Sequence, residues 1–183
     1  GRHVGRVVIQ WPKASSTQRL GLEHGDVDIA MNMTPQDLDA VAKEPAIRVQ
    51  NYTGQTIWDI RLNTTHGPLQ NKLVRQALSH SFDYDSMVKY VFKGYANRML
   101  GVGPTGLANF FPAKPLYTYD INKAKSLLAQ AGHPNGFTLH VDWASGDFHS
   151  AQMAQIWQAD VAPLGIKMVL QEVPVAEYFN ISK

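Results

Sequence analysis

Cysteine is absent from all 183 residues. That excludes a disulfide framework, a thiolate nucleophile and a cysteine-based zinc site. It is compatible with an oxidising compartment, where unpaired thiols are a liability. Charge is also scarce, at 17 % of residues, and 17 Lys and Arg against 15 Asp and Glu leave a net charge of +2. No basic cluster is present, so nucleic acid has no electrostatic footprint here. No apolar run approaches the ~18 residues that suggest a membrane span. No signal peptide opens the chain, because Gly1-Arg2-His3 leads directly into a strand-like segment. An exported protein would carry its targeting segment outside this sequence. The composition is otherwise ordinary, 44 % hydrophobic and 10 % aromatic. It can bury a core, as one domain or two small ones.

Hydrophobic periodicity gives the elements. Arg6–Gln10 reads as a short buried strand, and Ser15 or Ser16 can cap a helix that Gly25 ends. Val27, Ile29 and Met31 alternate with Asp26, Asp28 and Ala30, a second strand. Thr34-Pro35-Gln36-Asp37 starts a helix: Thr34 caps, Pro35 needs no amide hydrogen, and Asp37 faces the positive helix end. Ile47–Gln50 reads as a third strand. This order favours an α/β layer structure. Ile57–Leu62 alternates again, with Trp58 on the apolar face, and the main boundary falls between Thr53 and Pro68.

Val74, Ala77, Leu78 and Phe82 follow helical spacing. Asp83 caps a second helix with Met87, Val88, Val91 and Phe92 inward, closed by Gly94. The stretch from Met99 to Pro115 reads as a long loop. Asp120 caps a helix that Gly132 and Pro134 end. Phe137–Trp143 alternates as a strand, Ser150 can cap a helix with Trp157 and Val161 inward, and Ile166–Leu170 begins another strand. Together these make a βαβ unit.

Catalytic and cofactor signatures are mostly missing. Gly101-Val102-Gly103-Pro104-Thr105-Gly106 matches a dinucleotide loop in letters, but no helix start follows it. The seven histidines include no pair at metal-ligand helical spacing. Ser145 in Trp143-Ala144-Ser145-Gly146 is not a nucleophile elbow. Two places can hold a ligand. One is the loop after the Phe137–Trp143 strand, since ligands bind beyond the carboxyl ends of strands in open α/β sheets. The other is Tyr52–Trp58, at the proposed crossing between lobes. Packed core tryptophans and a plain surface loop are the bland alternatives at both.

Several motifs then align in order. They are Gly25-Asp26-Val27-Asp28-Ile29, Leu62-Asn63 before Pro68, Leu73-Val74-Arg75-Gln76-Ala77-Leu78 with Phe82-Asp83, Gly132-His133-Pro134-Asn135-Gly136-Phe137, and Gly165-Ile166-Lys167. In this order the chain resembles the peptide/nickel-type solute-binding proteins, family 5, of ABC importers. The resemblance implies a fold of the periplasmic-binding-protein type II kind: two α/β lobe portions joined by hinge strands, truncated here. It implies that residues 1–53 are the tail of the first lobe, 54–65 the hinge strand region, and 66–183 the first part of the second lobe. Dipeptide-type members carry an arginine in the loop after the second-lobe strand. No arginine lies between Trp143 and His149.

The expected protein is a periplasmic or extracellular, membrane-associated receptor, a monomer and not an enzyme. It would bind peptides between its lobes and deliver them to an ABC permease. Nickel, opine or oligosaccharide ligands are alternatives within the family. Trp58, Trp143, Ser145, Asp147 and His149 are the candidate ligand-binding residues. No cofactor, no metal and no nucleic-acid partner are expected. A rival from another class is an α/β enzyme with Asp147 and His149 as acid and base. A structural fragment without activity is the third reading.

Overall fold

In the computed structural model, which describes residues 3–12, 14–51, 54, 56–100, 103 and 117–181, the chain separates into two units, Gly1–Asn51 and Tyr52–Lys183. The long loop anticipated from Met99 to Pro115, with its glycine-rich motif, lies mostly outside the described residues.

The first unit is built on two short helices, α1 (Ser15–His24) and α2 (Pro35–Val41). Thr34 caps α2: its Oγ1 accepts from the Asp37 amide at 3.2 Å and donates to the Asp37 carboxylate at 2.8 Å. Ser15 does not cap α1, contrary to expectation. It is the first helical residue, and its hydroxyl accepts from the Thr34 amide at 2.8 Å, fastening α1 to α2. Arg19 adds ion pairs to Glu23 at 3.5 Å and Asp37 at 3.6 Å. The strands anticipated at Arg6–Gln10, Val27–Met31 and Ile47–Gln50 are not formed, and Ile57–Leu62 of the second unit forms none either. Val7 is 73 % exposed and Ile9 72 %. The physical reason is that alternation sets which face an extended segment would bury, while a strand exists only when a partner completes its hydrogen-bond ladder. No such partner stands among the described residues.

The second unit holds the core. A 3-10 turn, Pro68–Gln70, leads into α3 (Lys72–His80), whose first turn is capped by the Asn71 side chain. Arg75 donates to the carbonyls of Leu69 and Gln70 and binds that turn to α3. Asp83 caps the turn α4 (Tyr84–Ser86), accepting from the Ser86 amide at 3.1 Å and the Ser86 hydroxyl at 2.6 Å. The helix then widens into a π-helix, Met87–Val91, and the Phe92 amide reaches back five residues to the Met87 carbonyl. Asp120 caps α5 (Ile121–Gln130) through the Lys123 amide.

The βαβ unit follows. Strand β1 (Thr138–Ala144) pairs in parallel with β2 (Lys167–Val173), and α6 (Phe148–Val161) connects them through a 3-10 turn, Ala162–Leu164. Trp143 lies opposite Glu172 in the ladder. The last helix is α7 (Val175–Ile181). One core joins these elements: Val74, Ala77 and Leu78 of α3, Ala124 and Leu128 of α5, Leu139 of β1, Trp157 and Val161 of α6, and Met168 of β2. Each buried valine, leucine or methionine side chain contributes about 1.5–3 kcal/mol.

The turns entering the two strands touch backbone to backbone. A Cβ at Gly136 would lie 2.2 Å from the Gly165 carbonyl carbon, and one at Gly165 would lie 2.4 Å from the Asn135 oxygen. Both glycines have positive φ, 73° and 76°. Only glycine meets both demands, which gives the Pro134-Asn135-Gly136 and Gly165-Ile166 motifs a common physical cause.

Candidate ligand site at the carboxyl end of the first strand

The candidate site is built where β1 ends and α6 begins. The Ser145 amide donates to the Val173 carbonyl at 2.8 Å, and the Gly146 amide donates to the Glu172 carboxylate at 3.2 Å. These bonds hold the loop over the carboxyl ends of both strands, the position where open α/β sheets bind ligands.

Asp147, and not the expected Ser150, caps α6. Its Oδ1 accepts from the Ser150 amide at 3.1 Å and its Oδ2 from the Ser150 hydroxyl at 2.6 Å. Both residues suit a helix start, but the cap must stand two or three residues before the amide it satisfies. Ser150 therefore becomes the capped residue. With both carboxylate oxygens occupied, Asp147 is a fixed part of the loop.

His149, the second residue of α6, is enclosed by rings. Phe92 stacks on it at 4.5 Å and 12°, Phe148 lies 4.1 Å away tilted by 39°, and Trp58 meets it edge-on at 5.1 Å. Trp58 also packs on Phe92 at 5.0 Å. Burial pushes the His149 pKa below its usual value, and the Asp147 carboxylate opposes this more weakly. Burial therefore favours the neutral imidazole over the imidazolium. An acid–base pair of Asp147 and His149 finds no support in this geometry, because Ser150 takes the carboxylate and rings surround the base.

Of the five candidate residues, the structure brings Trp58 and His149 into contact and sets Ser145 and Asp147 in the adjoining loop. Trp143 stands half-buried on β1, outside the ring cluster among the described residues. Phe92, Phe148 and Glu172 belong to the same neighbourhood but were not anticipated. Phe148 lay within the inspected loop. Phe92 carried only a helical-stripe signal, and Glu172 only its place at the end of a strand. Among the described residues, no group of three or more histidine or acidic side chains is placed to hold a metal ion.

Comparison with known structures defines the class first. The chain superposes on the ABC transporter-associated periplasmic binding protein DppA from Helicobacter pylori, solved with the peptide STSA. The TM-score is 0.80 at 30 % identity, over 90 % of this chain and 32 % of that one. The fold is thus that of periplasmic binding proteins. The family model "Bacterial extracellular solute-binding proteins, family 5 Middle" matches residues 2–182, and the chain belongs to this family. Glutathione-binding protein GsiB of Escherichia coli K12 is 33 % identical over 162 residues, covering 87 % of this chain and 31 % of its own. Heme-binding protein A of Haemophilus influenzae is 29 % identical over 167 residues, covering 88 % of this chain and 30 % of its own. The chain spans about a third of the length of these relatives.

Proposed function

We propose that this chain is part of an extracytoplasmic receptor of an ABC importer, which binds peptides between two lobes and passes them to a membrane permease without turnover. The observation that carries the reading is the contact of Trp58 with His149. It joins the candidate from the inter-lobe region to the loop beyond β1. The relatives support the ligand class: one is named for glutathione, a peptide, and another was solved with a peptide.

In this reading residues 1–53 belong to the first lobe, 54–65 to the hinge and 66–183 to the second lobe. Trp143, Ser145, Asp147 and His149 are the ligand contacts on the second-lobe side, Asp147 also setting the loop, and Trp58 is the contact from the hinge. The receptor is a monomer outside the cytoplasm. Ligand contacts from both lobes shift an open–closed equilibrium, and the permease reads the closed form.

The test is a native mass spectrum of the protein purified without refolding. A retained mixture of peptide masses is the expected result. A single non-peptide mass or a metal would replace the peptide reading with another solute of the family. An empty protein that binds no peptide on titration would reject the receptor reading.

A further inference from the structure

Trp58 lies on the stretch 56–62, which is exposed along its length apart from Leu62. Leu62 and Trp58 tie this stretch to the rest of the second unit. Leu62 packs against the core, and the Trp58 ring rests on Phe92 and His149. His149 is the centre of the second contact, with Phe92 stacked on it and Phe148 beside it. The π-helix Met87–Val91 ends at Phe92 and delivers that ring to the stack. π-Helices of this kind occur frequently at functional sites.

The enclosure suits a neutral imidazole. Stripping water from His149 penalises the imidazolium, and its place in the first turn of α6 sets it at the positive end of the helix, which also disfavours a positive charge. The other charges on the packed elements are few. Asp147 favours the imidazolium but is engaged by Ser150. Asp59 and Arg61, on the Trp58 stretch, pair with each other at 3.3 Å. Lys89 lies over the Tyr90 ring, Lys93 follows Phe92 in the chain, and Glu172 accepts from the Gly146 amide. Asp142 is on β1.

We propose that His149 is an acid-released latch: as a neutral ring it fastens Trp58 to the core of the second unit, and as an imidazolium it lets Trp58 go. The physical cause is hydration. An imidazolium carries two N–H donors and a charge that need water, and around the half-buried His149 the ring contacts withhold part of that hydration until one of them moves away. Phe92 is fixed in the core at 7 % exposure, whereas Trp58 is 40 % exposed and sits on an exposed stretch. Trp58 is therefore the ring that leaves. Its departure frees the chain just beyond the boundary between the two units. The latch needs no bound ligand to operate, and it uses two residues that the proposed function places at the ligand site.

The test is fluorine NMR of the full chain labelled with 5-fluorotryptophan, with Trp58→Phe identifying the signal among the four tryptophans. The His149 ring is followed in parallel by proton–carbon spectra, from about pH 8 to about pH 5, the range in which histidine titrates. The Trp58 signal should move toward its solvent-exposed position with the midpoint of His149 itself, below the usual histidine value. In His149→Phe, which keeps a ring and removes the charge, that movement should vanish. A Trp58 signal that stays still while His149 titrates would overturn the latch. So would the same movement in His149→Phe. Should that variant fail to fold, agreement or disagreement of the two midpoints in the unsubstituted protein decides the matter.

Discussion

The indole nitrogen of Trp157 donates to the hydroxyl oxygen of Ser81 at 3.0 Å, and both residues are buried. The same hydroxyl donates to the Leu78 carbonyl at 2.9 Å, so one small side chain ties α6 to the end of α3. Ser81→Ala leaves the indole N–H without a partner in a place water does not reach. The expected loss is about 1–3 kcal/mol, the cost of an unsatisfied buried donor. Urea unfolding checks it, and an unchanged midpoint would show that the indole finds another acceptor.

Gly165→Ala should be more damaging than its size suggests. The new Cβ would meet the Asn135 carbonyl oxygen at 2.4 Å, where no flexible side chain can yield, and φ is already +76°. Left-handed geometry alone costs about 1–2 kcal/mol for a residue with a side chain, so a loss above about 2 kcal/mol is expected. Gly136→Ala should behave alike, because it faces the same contact from the other side. Thermal unfolding of the two variants decides whether this approach anchors the β1–β2 pair.

Asp160 predicts a rise in stability on neutralisation. Its Oδ2 is buried with no hydrogen-bond partner among the described residues. Burial, then the charge of Asp83, pushes its pKa above the usual carboxylate value. A raised carboxyl pKa means that the folded state holds this proton more tightly than the unfolded chain. The ionised group therefore disfavours folding at neutral pH, and the penalty is relieved as pH falls through the folded pKa. Asp160→Asn should raise the unfolding temperature at pH 7, with the gain shrinking toward acid. A gain constant with pH would assign the effect to packing instead. The same substitution should bring the Tyr119 hydroxyl back toward its ordinary pKa. Burial comes first in raising it, and Asp160 is the larger of the two charges that add to it.

The ring cluster separates stability from binding. Phe92→Ala should cost about 3–5 kcal/mol, as buried phenylalanine truncations do. Trp58→Ala removes a far more exposed ring and should cost less stability, while reducing peptide retention at least about tenfold if the indole is a binding anchor. Isothermal titration with the recovered peptides distinguishes the two. Unchanged affinity in Trp58→Ala would remove Trp58 from the ligand site.

The pH dependence of stability near His149 has a definite sign. Its folded pKa lies below the unfolded value, so its favourable contribution is complete above the unfolded pKa and is lost as pH falls through the folded one. The unfolding temperature of His149→Phe should therefore decline less between about pH 7 and about pH 5 than that of the unsubstituted protein, since phenylalanine has no proton to gain across the histidine range. Parallel curves for the two proteins would contradict the shift.

Local chemistry made the helix starts and the βαβ strands largely legible. Asp83, Asp120 and Thr34 cap the helices expected of them, because capping depends on residues two or three apart. The alternation of Leu139 and Val141, and of Ile166 and Met168, located both strands of the βαβ unit. Rival caps were less clear, since Asp147 and Ser150 stand three apart and each can serve. The π-helix at Met87–Val91 leaves no compositional mark, because its residues fit an ordinary helix equally well.

By itself the sequence determined the helix starts at Thr34, Asp83 and Asp120, the two glycines of the strand turns, and the order of motifs that carries the family. These depend on neighbours in the chain or on backbone geometry at single positions. Only the tertiary structure decided the rest. It brought Trp58, Phe92 and His149 together from three distant stretches, placed Ser81 under Trp157, and left four strand-like segments outside any sheet. Ring contacts, buried donors and strand ladders all require a partner that local pattern does not name, and a partner is set by the path of the whole chain.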